Sequence, residues 1–260
     1  MTTAPSRGRI QPRPARGAGR SPRTDRAAGR RARSGREARP SSQPGRALEG
    51  RVAMVTGAGR SAAAVASALA ENGASVVLGA PDQLAIARVA RQIEGSGGRA
   101  IAIATDLGDP QAVARLADEA LRVFGRLDLA VNGPGRARGL DDLAEPDCRA
   151  VYFAVRRQLP AIAASGGGAI VNVALGPLGW SDDARCVVGL TRATALEQDG
   201  DVRVNALARA PGSAGFAATA CWLCSDAAQH LNGAVVTGAP QDEEGGAPSP
   251  GDGAPSPAAA

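Results

Sequence analysis

The sequence predicts an α/β fold. One parallel sheet is wound on both faces by helices, three layers deep (αβα), as a single domain between two disordered tails. Three observations predict it. Short β-branched runs alternate with helix-length runs throughout residues 47–239, and that alternation gives a parallel sheet covered on both faces. The first unit, Arg51–Leu78 (RVAMVTGAGRSAAAVASALAENGASVVL), passes from apolar run to glycine turn to Ala-rich helix to a second apolar run, which is one βαβ unit. The chain is 44% hydrophobic but only 2% aromatic, so its core is built from Ala, Val, Leu and Ile.

In order, strands are expected near 51–56, 74–79, 99–104, 127–132, 168–174, 202–207 and 233–237. Helices are expected near 61–72, 82–94, 110–124, 145–164, 183–199 and 215–226. Asp109-Pro110 reads as a cap followed by proline at the first helical position, and Glu145-Pro146 is expected to repeat it. Residues 1–46 are Arg, Pro, Ser, Gly and Ala with a single large aliphatic residue, Ile10. Nothing in that stretch buries a core, so it is expected to be disordered. Residues 240–260 are acidic, low-complexity and expected to be disordered as well.

The net charge of +5 averages three different regions. Residues 1–47 carry 13 Arg against Asp25 and Glu37, a net +11; residues 48–239 carry 17 Arg against 19 acids, a net −2; residues 240–260 carry four acids and no base. Every basic side chain is Arg, and the chain has no Lys. Clustered Arg neutralises phosphate, but no aromatic residues interleave for base stacking. Nucleic-acid association through the N-terminal tail is therefore the disfavoured reading of that segment. The four cysteines (Cys148, Cys186, Cys221, Cys224) are scattered, which points away from a disulfide framework and toward a reduced, cytoplasmic setting. No apolar run reaches membrane-spanning length.

Gly57 and Gly59 stand where a phosphate-cradling turn needs them, followed by Arg60 and Ser61 at the helix start. Ser61, Ala62 and Ala63 occupy the positions of the later glycines of such a turn. Cys221-Trp222-Leu223-Cys224 is a CxxC without a second ligand pair, so it reads as two buried thiols one turn apart and no metal site is expected. His230, the only histidine, reads as a surface residue.

With its elements in this order the chain resembles the short-chain dehydrogenase/reductase family, which has a Rossmann-like fold. The resemblance rests on VTGAGR (Val55–Arg60), Thr105-Asp106-Leu107, LDLAVNGPG (Leu127–Gly135), GGGAIVNVA (Gly166–Ala174), GLTRATALE (Gly189–Glu197), VRVNALARAPG (Val202–Gly212) and WLCSDAAQHLNGAVV (Trp222–Val236). It implies an NAD(P)-dependent oxidoreductase ancestry. It places Gly57, Gly59, Arg60, Ser61, Asp106, Leu107, Asn132 and Gly133 along the cofactor path, and Asn172 and Asn205 in structural roles.

The family's chemistry residues are absent. Its Tyr falls on Trp180, its Lys on Ala184, its Ser on Leu175, and its Asn near Asp147 or Cys148. Indole has no useful acidity and alanine has no polar group. Tyr152, Asp182 and Asp183 are the substitute acids this chain offers, although Asp182 and Asp183 also suit a helix start. Gly79-Ala80-Pro81 supplies neither acid nor base for the cofactor ribose, and the altered glycine turn argues against NAD(P) binding. About a dozen residues separate Gly212 from Ser225, enough for one helix and no lid. The expected function is a family member without ordinary hydride transfer: a pseudoenzyme, partner subunit or decaying paralogue. The alternative is a divergent ketone/alcohol oxidoreductase with a non-standard acid. Oligomers are expected through the helices near 145–164 and 183–199, using Leu159, Ile162, Val187, Leu190 and Leu196.

Overall fold

The computed structural model describes residues 46–57, 59–133, 147–174, 180–198, 200–209 and 212–237. Both expected tails, apart from Arg46, lie outside the described residues, as do Glu145, Pro146 and Leu175.

The strands are β1 (Val52–Thr56), β2 (Ser75–Ala80), β3 (Arg99–Ala104), β4 (Leu129–Asn132), β5 (Gly168–Val173), β6 (Val202–Leu207) and β7 (Val235–Val236). The helices are α1 (Arg60–Glu71), α2 (Gln83–Gly95), α3 (Pro110–Phe124), α4 (Cys148–Ala164), α5 (Asp182–Glu197) and α6 (Phe216–Cys224), with a short 3-10 turn at Asp226–Ala228. All seven strands form one sheet in the order β3-β2-β1-β4-β5-β6-β7. Every pairing is parallel. The three-layer Rossmann-like fold expected from the sequence is the fold observed.

Alternate side chains of each strand feed two cores, one per face of the sheet. On one face Val55, Val76, Leu129 and Val171 meet Val65 and Leu69 of α1, Ile86 and Ile93 of α2, and Leu223 of α6. On the other, Met54, Val77, Ala130 and Ile170 meet Leu116 of α3, Val151, Val155 and Ile162 of α4, and Val187 of α5. Each fully buried Val, Leu or Ile contributes about 1.5–3 kcal/mol. Alanines at Ala62, Ala66, Ala117, Ala120, Ala150 and Ala154 are buried, so several helices lie against their neighbours through small side chains.

The helix starts follow local chemistry. Asp82 caps α2 by accepting from the amides of Leu84 and Ala85, both at 3.0 Å. Asp109 caps α3 with Pro110 at its first position, as expected. Ser181 caps α5 through the Ala184 amide at 3.1 Å. α4 starts later than the sequence suggested: its cap is Asp147, which accepts from Ala150 N at 3.0 Å, and its first residue is Cys148. β4 is also shorter than expected, because Asp128 turns its carboxylate onto the Val52 amide (2.9 Å) and onto the Arg126 guanidinium.

Two further expectations are corrected. Cys148 and Cys186 form a disulfide, because α4 and α5 lie side by side and bring their Cα atoms to 5.9 Å. Sequence spacing cannot reveal a pair made between neighbouring helices. Ile162 and Val187, expected at an oligomer face, are 0% exposed. The buried stripe of α4 runs through Val151, Val155, Gln158 and Ile162 toward the sheet, so these side chains serve the core. Of the five aliphatic residues expected there, Leu196 is the exposed one, at 87%.

Candidate functional site

Strand order reverses direction between β1 and β4, and in open α/β sheets a ligand crevice forms at that switch point, beyond the strand C-termini. The two ends are tightly joined. The Gly133 amide donates to Thr56 O at 2.8 Å, and a Cβ at Gly133 would sit 2.8 Å from that same oxygen. Only glycine fits there. Gly57 and Gly59 take φ of +113° and +93°, which swing the chain from β1 into α1. Arg60, exposed, is the first residue of α1. The amides of a first helical turn have no carbonyl partner within the helix and attract anions.

Ser61 lies in that turn, 5% exposed, with its hydroxyl unpartnered. A Cβ on Gly212 would come within 3.9 Å of this hydroxyl, so the segment after β6 faces α1 here. That segment adds two more buried, unpartnered groups, Arg209 Nε and Ser213 Oγ. The Arg209 guanidinium also donates to Ala214 O and folds the segment back on itself. Three buried polar atoms without a protein partner thus lie in the first turn of α1 and in the segment after β6. Arg209 and Ser213 are absent from the sequence-based set. Polar residues directly after the sixth strand were the available signal.

The ribose and adenine ends are less complete. Ala80 is fully buried, and the Asp82 carboxylate is committed to capping α2. Asp106 is exposed and uses one carboxylate oxygen on the Gly108 amide at 2.9 Å, while Leu107 is buried at 4% exposure.

Asn132 does something the sequence did not reveal. Thr56, Asn132 and Asn172 are aligned across β1, β4 and β5, with their side chains on the α4/α5 face. Asn132 and Gln158 exchange reciprocal amide hydrogen bonds at 2.8 and 2.7 Å. The Thr56 hydroxyl donates to Asn132 Oδ1 at 3.0 Å, and Asn132 Nδ2 donates to Asn172 Oδ1 at 2.9 Å. Asn172 Nδ2 reaches the Thr191 hydroxyl at 3.0 Å, and that hydroxyl donates to Val187 O at 2.8 Å. Both ends of the Asn132 amide are therefore occupied inside the protein. Gln158, 0% exposed, was legible as a polar residue at a core position of α4. None of these groups titrates near neutral pH, so the layer positions the sheet ends and carries no acid or base.

At the positions that the resemblance implies for the chemistry, Ala184 is 0% exposed and sits in the first turn of α5. Trp180 is 47% exposed, immediately before the Ser181 cap. Asp182 and Asp183 are exposed in that first turn, where acids favour the helix N-terminus. Asp182 pairs with Arg185 at 3.0 Å. Tyr152 stands on the exposed side of α4, its ring 5.8 Å from Phe153 and capped by the Arg156 guanidinium at 5.9 Å. It lines an outer cavity of about 360 Å³ with Pro110, Phe153, Arg156 and Arg157. None of the residues expected along the cofactor path lines that cavity.

The segment between Gly212 and Ser225 is one short helix, α6, as expected. Its Cys221 and Cys224 are buried. Burial pushes both thiols up, to about 11 for Cys221 and about 12 for Cys224, so neither offers a thiolate near neutral pH. His230 is exposed, and Asn205 ties β6 to the turn before β7 through Leu231 O and Ala234 N.

The family model for short chain dehydrogenase matches residues 51–176. The chain is 38% identical over 191 residues to cis-4-hydroxycyclohexanecarboxylate dehydrogenase of Sinomonas cyclohexanicum, covering 65% of this chain and 76% of that protein. It superposes on a short chain dehydrogenase from Mycobacterium smegmatis with TM-score 0.64 and 27% identity, over 76% of this chain and 95% of the other. A short chain dehydrogenase from Mycobacterium paratuberculosis, solved bound to NAD, shares the fold at TM-score 0.62 and 23% identity, over 73% and 96% of the two chains. The chain belongs to the short-chain dehydrogenase/reductase family.

Proposed function

We propose that this protein keeps the dinucleotide-binding frame of its family and has lost ordinary hydride transfer. The observation that carries this reading is the pair Trp180 and Ala184: an indole where the family has its acid, and a fully buried methyl group where it has its lysine. No lysine elsewhere in the chain can replace it. Bound nicotinamide would supply the hydride. The proton at the substrate oxygen must come from a side chain tuned near neutral pH, and no such group stands at those positions.

The frame itself supports binding of the NAD(P) diphosphate. The first-turn amides of α1 and the unpartnered hydroxyls of Ser61 and Ser213 supply donors, and Arg209 supplies a charge. Gly57, Gly59 and Gly133 keep the backbone close enough for approach. The cofactor then acts as a structural ligand, and the protein acts as a partner subunit or binding module.

The test is a thermal-shift series on the full chain with NAD, NADH, NADP and NADPH, run beside a nicotinamide absorbance assay against alicyclic alcohols and ketones. Stabilisation without turnover is the expected result, because a ligand that binds only the folded state adds about 2.7 kcal/mol at a hundredfold excess over its dissociation constant. Turnover that survives purification and vanishes in Trp180→Ala would overturn the reading.

A further inference from the structure

The disulfide between Cys148 and Cys186 has two unlike ends. Cys186 is exposed, one turn into α5. Cys148 is half-buried against the core and is the first residue of the 17-residue α4. Cys186 is the more solvent-exposed residue of the pair and so the end a thiol from solvent reaches first. The Cys148 sulfur, at a helix N-terminus, is the better leaving group, because the helix dipole stabilises a thiolate there. Exchange runs fastest when the leaving thiolate has the lower pKa.

The surroundings carry both signs of charge. Arg149 adjoins Cys148, with its guanidinium 5.3 Å from the Phe153 ring, and Arg185 adjoins Cys186, paired with Asp182. Asp147 caps the same helix start, and Asp183 is exposed in the first turn of α5. The bond joins the two helix starts that carry Asp147 and Ala184, the positions where the family builds its site.

We propose that Cys148–Cys186 is a thiol–disulfide exchange site at which a low-molecular-weight thiol is taken up on Cys186. The incoming thiolate attacks Cys186 Sγ. A new sulfur–sulfur bond forms there, the Cys148–Cys186 bond breaks, and its electron pair leaves on Cys148 as thiolate. A second thiolate attacking the small-molecule sulfur of the mixed disulfide releases a symmetric small disulfide. The protein is then reduced by two electrons and the two small thiols are oxidised by two. Exchange unlinks the starts of α4 and α5. This inference does not depend on the functional reading above.

Glutathione is the probe. The full-length protein, purified without reductant, is incubated with reduced glutathione, quenched with acid, alkylated, and mapped by peptide mass. The expected result is glutathione on Cys186 and the alkylating agent on Cys148, with Cys221 and Cys224 modified only after unfolding. With oxidised glutathione, Cys148→Ser should take up one glutathionyl group at Cys186. Four free thiols in the unreduced, unfolded protein would overturn the proposal. So would glutathione found on Cys148 in the wild-type chain, or a disulfide untouched by excess thiol. The wild-type arm needs no variant to fold.

Discussion

Replacing Asn132 by leucine removes four hydrogen bonds at once: those to Thr56, to Asn172, and the reciprocal pair with Gln158. The neighbours left behind are buried. Gln158 Oε1 and Asn172 Oδ1 lose their donor, and Gln158 Nε2 keeps only the Met54 sulfur at 3.4 Å. The Thr56 hydroxyl can rotate, so two oxygens are fully orphaned. At about 1–3 kcal/mol for each orphaned buried group, the expected cost is about 2–6 kcal/mol. Gln158→Leu is milder, although it touches the same pair. Asn132 Nδ2 keeps Asn172 and Asn132 Oδ1 keeps Thr56, so no group is wholly stranded, and the expected cost is about 0.5–1.5 kcal/mol.

The double variant should cost less than the sum of the two, because the stranded Gln158 amide disappears with its partner. Urea unfolding of the full-length chain, with the slope checked for constancy, measures all three. Melting temperatures should fall by about 2–4 °C per kcal/mol for a domain of this size. Gln158→Leu as costly as Asn132→Leu, or strict additivity in the double variant, would refute the assignment of this layer as a mutually satisfied network.

Three other outcomes are expected. Gly168→Ala should destabilise by about 3 kcal/mol or more, measured by denaturant unfolding, because its Cβ would lie 1.8 Å from Asp128 O, a backbone atom that cannot step aside. Ser61→Ala should leave the ligand-free melting temperature unchanged or slightly raised, since the hydroxyl has no partner to lose, while shrinking any shift produced by NAD or NADP. Cys221 and Cys224 hold their protons to about 11 and about 12 when folded, against an ordinary value of 9.0. The unfolded chain therefore releases those protons first. Their contribution is complete below about pH 9 and is lost as pH rises through the folded values, a decline that Cys221→Ala/Cys224→Ala should flatten in unfolding curves taken across that range.

The fold was legible because it rests on local periodicity. β-branched runs such as Val76–Val77 and Ile170–Val171 alternate with helical spacings such as Val65–Leu69, and caps such as Asp109-Pro110 mark where helices begin. The glycines of the candidate site were legible for a related reason. Gly57, Gly59 and Gly133 occupy backbone positions that side chains cannot, and the motif around each is short and continuous. The proposed replacements at Trp180 and Ala184 rest on a register taken from the flanking motifs.

What the sequence could not determine is whatever depends on two segments meeting. Cys148 and Cys186 are 38 residues apart, and only the packing of α4 on α5 brings their Cα atoms to 5.9 Å. Gln158 and Asn132 meet only because α4 packs on the face of the sheet that carries the Asn132 side chain. Ser61 meets Gly212, more than a hundred residues on, only because the segment after β6 comes back to the start of α1. Hydrophobic patterning chooses the face each residue presents, because that choice is local. Which polar side chain meets which is settled by the crossing of distant elements, and no single stretch of chain encodes it.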